Sequence, residues 1–349
     1  MKLQNRFKTI LDAAVGGCRP TKEDCVYLLN LSCESLEAKV LMAAADTISR
    51  KRFNNHAILL GQIGVDIAPC PGNCKFCVFG EGHTTFEKSQ LSIEEILLRA
   101  HDFTRQGDLY ALFLMTMHEF DLGHFLSVVQ SIRKEIPSHT QIVVNIGDFD
   151  IHQARQLRDA GVNGAYHVCR LHEGKDTSLN PKDREKTIAI IREAGMDFYY
   201  CCEPIGPEHT PAELAEQIFL GIKHGCFQHA AMRRVFIPGA PLSENGQITE
   251  QRLAQIVAVV ALATLACVET KNIAVHEPNL LGLAAGANVI YAETGANPRD
   301  TEDDTSRNRG LNVCDCRKML YEAGFTGLLR GDDTSIPLDL DYVQHACAF

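Results

Sequence analysis

From about residue 56 onward, short β-rich runs alternate with helical stretches, and this alternation constrains the fold more than any other feature. Such a pattern predicts an α/β protein, and eight repeats favour a (β/α)8 TIM-type barrel over the alternative of an open doubly wound sheet. The predicted strands cover residues 57–65, 109–115, 141–146, 165–171, 198–202, 230–236, 272–276 and 289–293.

The chain divides into three predicted units. Residues 1–55 read as helices that pack on the barrel, residues 56–295 form the barrel, and residues 296–349 form a C-terminal segment. Thr21, followed three residues later by Asp24, matches an N-terminal helix-capping pattern.

Composition excludes several classes of protein. The chain carries 44 acidic and 34 basic residues, a net charge of −10, which argues against broad binding to nucleic acid. No apolar run reaches the roughly 18 residues of a membrane span. The N-terminus lacks the apolar core of a signal peptide, so we expect a cytoplasmic protein.

Fourteen cysteines are unusual in a chain of this kind. Without an export signal, they indicate metal, cluster or catalytic thiols more than disulfides. The alternative for some of these cysteines is that they pack in the core as small apolar side chains.

Cys70, Cys74 and Cys77 directly follow the first predicted strand. In a barrel, that loop lies on the face where active sites are built. Iron–sulfur clusters use thiolates, and three ligands would leave one iron of a four-iron cluster open. Zinc is the alternative, but it usually draws ligands from two separated pairs, and no second C-x2-C follows.

This motif resembles that of the radical S-adenosylmethionine (SAM) superfamily. The resemblance implies a [4Fe–4S] cluster on Cys70, Cys74 and Cys77, with SAM on the open iron. Reductive cleavage of SAM then gives a 5′-deoxyadenosyl radical that abstracts hydrogen. The aromatic residue before the third cysteine, here Phe76, is expected near the adenine.

Within that superfamily the flanking sequence is similar to biotin synthase. Glu203 and Gly206 stand where that family has a strand end against SAM, and Glu119 lies in the region that often contacts the SAM amino group. Arg170 is expected to bind a carboxylate of SAM or substrate as a fork, or else to form a salt bridge within the barrel.

The chain departs from biotin synthase at the second, auxiliary cluster. The second and third predicted strands have no cysteine, and the seventh has no arginine at the expected ligand position, although the fifth carries Cys201 and Cys202. Cys314 and Cys316 offer another route to an auxiliary iron–sulfur cluster, together with Cys201, Cys202 or Cys347. The alternative is that the pair is reduced and unliganded.

We therefore expect a radical SAM enzyme acting on a small molecule, with biotin synthase-like sulfur insertion into dethiobiotin favoured. A sulfurtransferase of this kind would take sulfur from the auxiliary cluster. The alternatives are a mutase or cofactor-maturation enzyme without sulfur transfer, and a non-catalytic iron–sulfur protein. The resemblance implies a reductase such as flavodoxin or ferredoxin as partner, no nucleic acid and no membrane, with a homodimer left open.

Overall fold

A computed structural model describes residues 3–348 of the chain. Met1, Lys2 and Phe349, at the ends of the predicted first and last units, lie outside these residues. Within the described part, none of the helices has the length and apolar character needed to cross a membrane.

Eight parallel strands close into a barrel, as predicted. Neighbours in the sequence pair with each other, and the first and last strands pair to complete the ring. The barrel strands are β1 His56–Gly64, β4 Ala111–Met115, β5 Gln141–Asn145, β6 Gly164–Tyr166, β7 Asp197–Ile205, β8 Gln228–Arg233, β9 Asn272–His276 and β10 Val289–Gly295. Most of their residues are buried on both faces, which is why they read as apolar runs.

Helices surround the barrel. They begin at polar caps, as at Thr210, where the side chain and that of Glu213 form the reciprocal bonds of a capping box. The barrel helices are α4 Ile93–Thr104, α5 Leu122–Glu135, α6 Ile151–Asp159, α7 Pro181–Glu193, α8 Pro211–Lys223, α9 Glu250–Ala263, α10 Leu280–Leu283 and α11 Val313–Glu322.

Three helices precede the barrel: α1 Asn5–Val15, α2 Lys22–Asn30 and α3 Leu36–Arg52. The capping box of Thr21 and Asp24 starts α2, as predicted. Helix α2 packs against α8 and α9, and α3 packs against α9. Gln255 of α9 donates to the carbonyls of Leu28 and Leu31, so the end of α2 is fixed to the barrel by polar bonds as well as apolar packing.

The segment after β10 is folded. Helix α11 packs on β1 and β10 as the eighth helix of the barrel. The strand β11 Gly327–Leu329 pairs with the start of β1 and with β12 Ser335–Pro337, and α12 Leu340–Ala346 follows. The C-terminal segment is therefore joined to the barrel by backbone pairing.

A buried ion pair fixes this segment. Arg317 of α11 donates to both carboxylate oxygens of Asp108, at 2.6 and 2.8 Å, and both residues are almost fully buried. The hydroxyl of Tyr342 donates to the same carboxylate at 2.7 Å. Asp108 precedes β4, so this carboxylate holds α11 and α12 against the barrel.

Removal of this carboxylate tests how much the segment depends on it. We expect Asp108→Ala to lower the free energy of unfolding by about 3–5 kcal/mol, because it leaves the Arg317 charge buried without a partner. Urea unfolding measures the change. The control is Arg307→Gln, which breaks an exposed pair with Asp303 and should leave unfolding unchanged. A loss below about 1 kcal/mol for Asp108→Ala would contradict the assignment.

Candidate active site

The loop after β1 brings three cysteines to one cavity at the C-terminal end of the barrel. Two consecutive turns shape it: the backbone N–H of Asn73 donates to the Cys70 carbonyl, and that of Cys77 donates to the Cys74 carbonyl, both at 3.0 Å. Asn73 takes a positive φ of 44°. As a result Cys70, Cys74, Phe76 and Cys77 all line the cavity.

Neighbouring loops hold the cysteine loop in place. A short antiparallel pair, β2 Asp66–Ile67 with β3 Ser89–Gln90, joins the two ends of the segment that contains it. The N–H of Lys75 donates to the Asp176 carbonyl at 2.9 Å, and the N–H of Ser178 donates to the Gly72 carbonyl at 2.8 Å. The strand predicted over residues 165–171 is shorter in the structure, where it is β6. The chain beyond Tyr166 instead forms the loop that makes these bonds.

The thiols suit an iron–sulfur cluster. Burial raises the pKa of Cys74 to about 11 and raises that of Cys77 well above its usual range. Buried thiols of this kind lose their protons when a metal binds. The N–H of Phe79 donates to Cys77 Sγ at 3.3 Å, a bond that would also stabilise a thiolate. The donor set, three soft sulfurs on one loop, is that of a cluster site.

Three of the five predicted SAM-pocket residues line this cavity: Phe76, Arg170 and Glu203. Glu119 is exposed and Gly206 is buried, and neither is among the residues that line the cavity, so their predicted role stays a prediction. A Cβ on Gly206 would meet the side chains of Glu208 and Arg234, and Arg234 itself lines the cavity.

Arg170 and Glu203 form a buried pair. Arg170 Nε lies 3.1 Å from Glu203 Oε1, and the backbone N–H of Arg170 donates to Glu173 at 2.8 Å. Tyr166 donates its hydroxyl to Glu203 as well. Burial acts to lower the pKa of Arg170, but the two carboxylates outweigh it and raise that pKa. Arg170 therefore stays charged, and Glu203 holds it in a fixed orientation.

The half-buried carboxylate of Asp148 lies beside this pair. Asp148 accepts from Arg184 at 3.0 Å and from Thr187 at 2.8 Å, and it lies 2.9 Å from His167 Nε2. Burial acts to raise the pKa of Asp148, while His167, Arg184 and Thr187 together lower it. This carboxylate stays ionised and ties β5 to the loop and helix after β6.

The opposite side of the cavity holds residues that the sequence analysis did not single out. Arg299, in the loop after β10, donates through Nη2 to both oxygens of Glu293, at 2.8 and 3.1 Å. Gln62 of β1 also donates to Glu293, at 3.3 Å. The signal that could have identified Glu293 was its place as a polar residue at the end of a predicted strand. Arg299 sits in a charged run that resembles an exposed turn.

The predicted auxiliary-cluster cysteines do not come together. Cys314 forms a disulfide with Cys347, and Cys316 is buried behind β10 with its Sγ 3.4 Å from the Tyr291 carbonyl. Residues two positions apart in a helix point in different directions, which separates the two thiols of the pair.

Cys201 and Cys202 are adjacent in β7 and so face opposite sides of the sheet. Cys201 lies beside Tyr166 and Glu203 in the barrel interior, and neither cysteine lines the cavity. The structure therefore corrects the placement of these four cysteines at one site.

No protein-family model matches the chain. The biotin synthase of Clostridioides difficile (strain 630) is 26% identical over 186 residues, which cover 50% of this chain and 56% of that protein. The chain thus spans little more than half of that relative. The biotin synthase of Saccharopolyspora erythraea is 22% identical over 263 residues, covering 72% of this chain and 73% of that protein.

Two solved structures have the same fold. Methylornithine synthase (PylB) superposes with a TM-score of 0.75 at 17% identity, covering 93% of this chain and 98% of that one. The FeFe-hydrogenase maturase HydG from Carboxydothermus hydrogenoformans gives a TM-score of 0.75 at 17% identity, covering 98% and 82%. At these identities the likeness shows the fold alone.

The closed barrel, the cysteine loop after its first strand and these relatives define the class of protein: a radical SAM enzyme. The class implies a [4Fe–4S] cluster and SAM as cofactors. Within it, the curated proteins to which the chain is similar are named biotin synthase, at 20 to 27% identity.

Buried histidines predict how stability depends on pH. Burial lowers the pKa of His167 and His276 to about 3 and that of His229 to about 4. In the unfolded chain a histidine titrates near 6.5. Between these pKa values the unfolded state binds more protons than the folded state. The contribution of these histidines to the free energy of unfolding is therefore fully present above pH 6.5 and is lost as the pH falls toward 4.

We expect the free energy of unfolding to fall below pH 6.5 by about 1.4 kcal/mol per pH unit for each such histidine. Urea unfolding between pH 7 and pH 5 measures the slope. His229→Gln should reduce this slope by the contribution of one histidine. His345→Gln, at an exposed site, should leave the slope as in the wild type. An unchanged slope in His229→Gln would show that His229 is not buried in its neutral form.

Proposed function

We propose that this chain is a radical SAM enzyme that removes a hydrogen atom from a small polar substrate without transferring sulfur. Cys70, Cys74 and Cys77 would hold the [4Fe–4S] cluster, with Phe76 and Arg170 lining the SAM pocket. When bound and reduced, the cluster supplies the electron that cleaves SAM to a 5′-deoxyadenosyl radical. A reductase such as flavodoxin or ferredoxin is the electron donor that we propose.

One observation carries the choice against sulfur transfer. Among residues 3–348, the cysteines that line the cavity are the three of the loop. Cys314 is bonded to Cys347, and Cys316 lies behind β10. A sulfur-donating cluster has no comparable set of thiols to hold it, whereas carbon-skeleton rearrangement or cofactor maturation needs no inserted sulfur.

The barrel protects a reactive species from solvent. Phe113 lies between Tyr199 and Tyr291, with ring centroids 5.2 and 5.1 Å away and edge-to-face geometry. All three rings are almost fully buried. They fill the barrel below the cavity, so water and oxygen would reach the site only from the loop side.

Sulfur insertion into dethiobiotin is the second candidate. The curated relatives are named biotin synthase, and Cys201 faces the barrel interior. This reaction would require a second cluster with Cys201 among its ligands. The two candidates therefore differ in the number of clusters as well as in the product.

Iron and labile-sulfide analysis of anaerobically prepared protein separates them. We expect about four irons per chain in the wild type, and close to none in the variant Cys70→Ala, Cys74→Ala, Cys77→Ala. The wild type should release 5′-deoxyadenosine from SAM on reduction, and the triple variant should not. Cys18→Ala, at an exposed free cysteine, is the matched control and should retain its iron.

Three results would change the proposal. Iron that remains in the triple variant and disappears when Cys201 is also changed would establish a second cluster and favour sulfur insertion. Biotin formed from dethiobiotin would establish that reaction directly. A wild type that holds the cluster but neither binds nor cleaves SAM would instead be a non-catalytic iron–sulfur protein.

A further inference from the structure

Lys75, the residue directly after Cys74, is bonded to the loop that follows β6. Its ammonium donates to the Lys175 carbonyl at 2.7 Å and lies 3.4 Å from Asp176 Oδ1. Its backbone N–H donates to the Asp176 carbonyl at 2.9 Å. The main chain and the side chain of one residue in the cysteine loop therefore both bind the same neighbouring loop.

His172 extends this contact to helix α8. Its Nδ1 lies 3.2 Å from Asp176 Oδ2, and its Nε2 lies 3.0 Å from Glu213 Oε1. A carboxylate only accepts hydrogen bonds, so an imidazolium with a proton on each nitrogen donates to both carboxylates. Glu213 is itself held in place, because its other oxygen accepts from the N–H and the hydroxyl of Thr210 in the capping box of α8.

These ion pairs form one continuous chain, which we call the loop clamp: Lys75, Asp176, His172 and Glu213. The side chains of Asp176 and His172 are mostly buried, so solvent screens their ion pair less than it screens surface pairs. His172 has a φ of 56°, and its ring packs on that of His209 with centroids 4.7 Å apart. The two hydrogen bonds and the ring contact fix the orientation of the imidazole.

Helix α8 anchors the loop clamp to the barrel. It packs on β7 and on the N-terminal helix α2. Lys75 and His172 are not among the residues that line the cavity, so the clamp acts on the cysteine loop from outside the cavity. The ion pairs of the clamp do not involve the thiols of the loop, which therefore stay available to iron.

Resting on the proposed function, we propose that His172 is a positioning residue for the iron–sulfur cluster. Through the loop clamp it holds the cysteine loop in the shape that receives the cluster. A loop that is already ordered loses less conformational entropy when the cluster binds. Iron should therefore be held more firmly when the clamp is complete than when it is broken.

The test compares the rate of cluster loss in His172→Asn with that in the wild type. Asparagine tolerates the left-handed backbone conformation, but its side chain is too short to reach both carboxylates. Anaerobically reconstituted protein is mixed with a ferrous-iron chelator, and iron release is followed by absorbance. We expect His172→Asn to release iron about 5- to 30-fold faster than the wild type, with an unchanged far-UV circular dichroism spectrum.

His101→Asn is the matched control. His101 is an exposed histidine beside the carboxylate of Glu135, far from the cysteine loop in sequence. This variant should release iron at the wild-type rate.

Three further variants separate the clamp from other roles of its residues. Glu213→Gln retains a capping-box residue but removes the charge that faces His172, so it should release iron faster than the wild type. Lys75→Met should behave like His172→Asn, and Lys75→Arg, which keeps the charge and the donors, should recover the slow release. Because both changes break one chain of contacts, Lys75→Met combined with His172→Asn should release iron no faster than the faster single variant.

A second measurement needs no iron. In the cluster-free full-length protein, iodoacetamide should alkylate Cys74 and Cys77 faster in His172→Asn than in the wild type. Cys18, an exposed free cysteine, is the internal reference and should react equally in both proteins.

Iron release from His172→Asn at the wild-type rate would overturn the proposal. Effects of Lys75→Met and His172→Asn that multiply in the double variant would also overturn it, and so would equal alkylation of Cys74 and Cys77 in the two proteins. A wild type that takes up no cluster, while its thiols are still protected in a manner that depends on His172, would refute the proposed function and leave the loop clamp intact.

Discussion

The pairing of β1 with β10 is the constraint on which the rest of the molecule depends. Gly64 and Gly295 face each other at the end of this seam. A Cβ on Gly64 would lie 2.0 Å from the Ala296 carbonyl oxygen, and Gly295 has a φ of 72° with its own Cβ position 2.3 Å from the Gly64 carbonyl oxygen. Only glycine allows so close an approach.

Both halves of the candidate site leave the barrel from that seam. The cysteine loop follows β1, and the loop that carries Arg299 follows β10. The N–H of Val78 donates to the Pro298 carbonyl at 3.1 Å and joins the two loops beyond the seam. The relative position of the two loop backbones is therefore set by backbone pairing.

Much of the fold could be predicted because the barrel strands are buried on both faces. The predicted strand 272–276 coincides with β9, and the strand after the N-terminal helices differs from β1 by one residue at each end. Three SAM-pocket predictions, Phe76, Arg170 and Glu203, also reach the cavity. All three follow a predicted strand, and parallel strands end on one face of the barrel.

The errors concern a charged loop and a pair of helical cysteines. Arg299 was overlooked because a charged run usually lies in solvent, yet its ion pair with Glu293 draws it into the cavity. The closeness of Cys314 and Cys316 in sequence suggested a shared site, but helix α11 separates their directions. Long-range pairing, as of Cys314 with Cys347, leaves no local signal in the sequence.

The position of β1 also governs how such a chain must be assembled. β1 pairs with β4, with β10 beyond residue 288 and with β11 at residues 327–329. During synthesis β1, which is apolar on both faces, is therefore made long before its partners β10 and β11. Contacts so distant in sequence form slowly. Until residues 289–295 have been made, the edge of β1 that pairs with β10 stays open, and an unpaired edge of this kind favours aggregation.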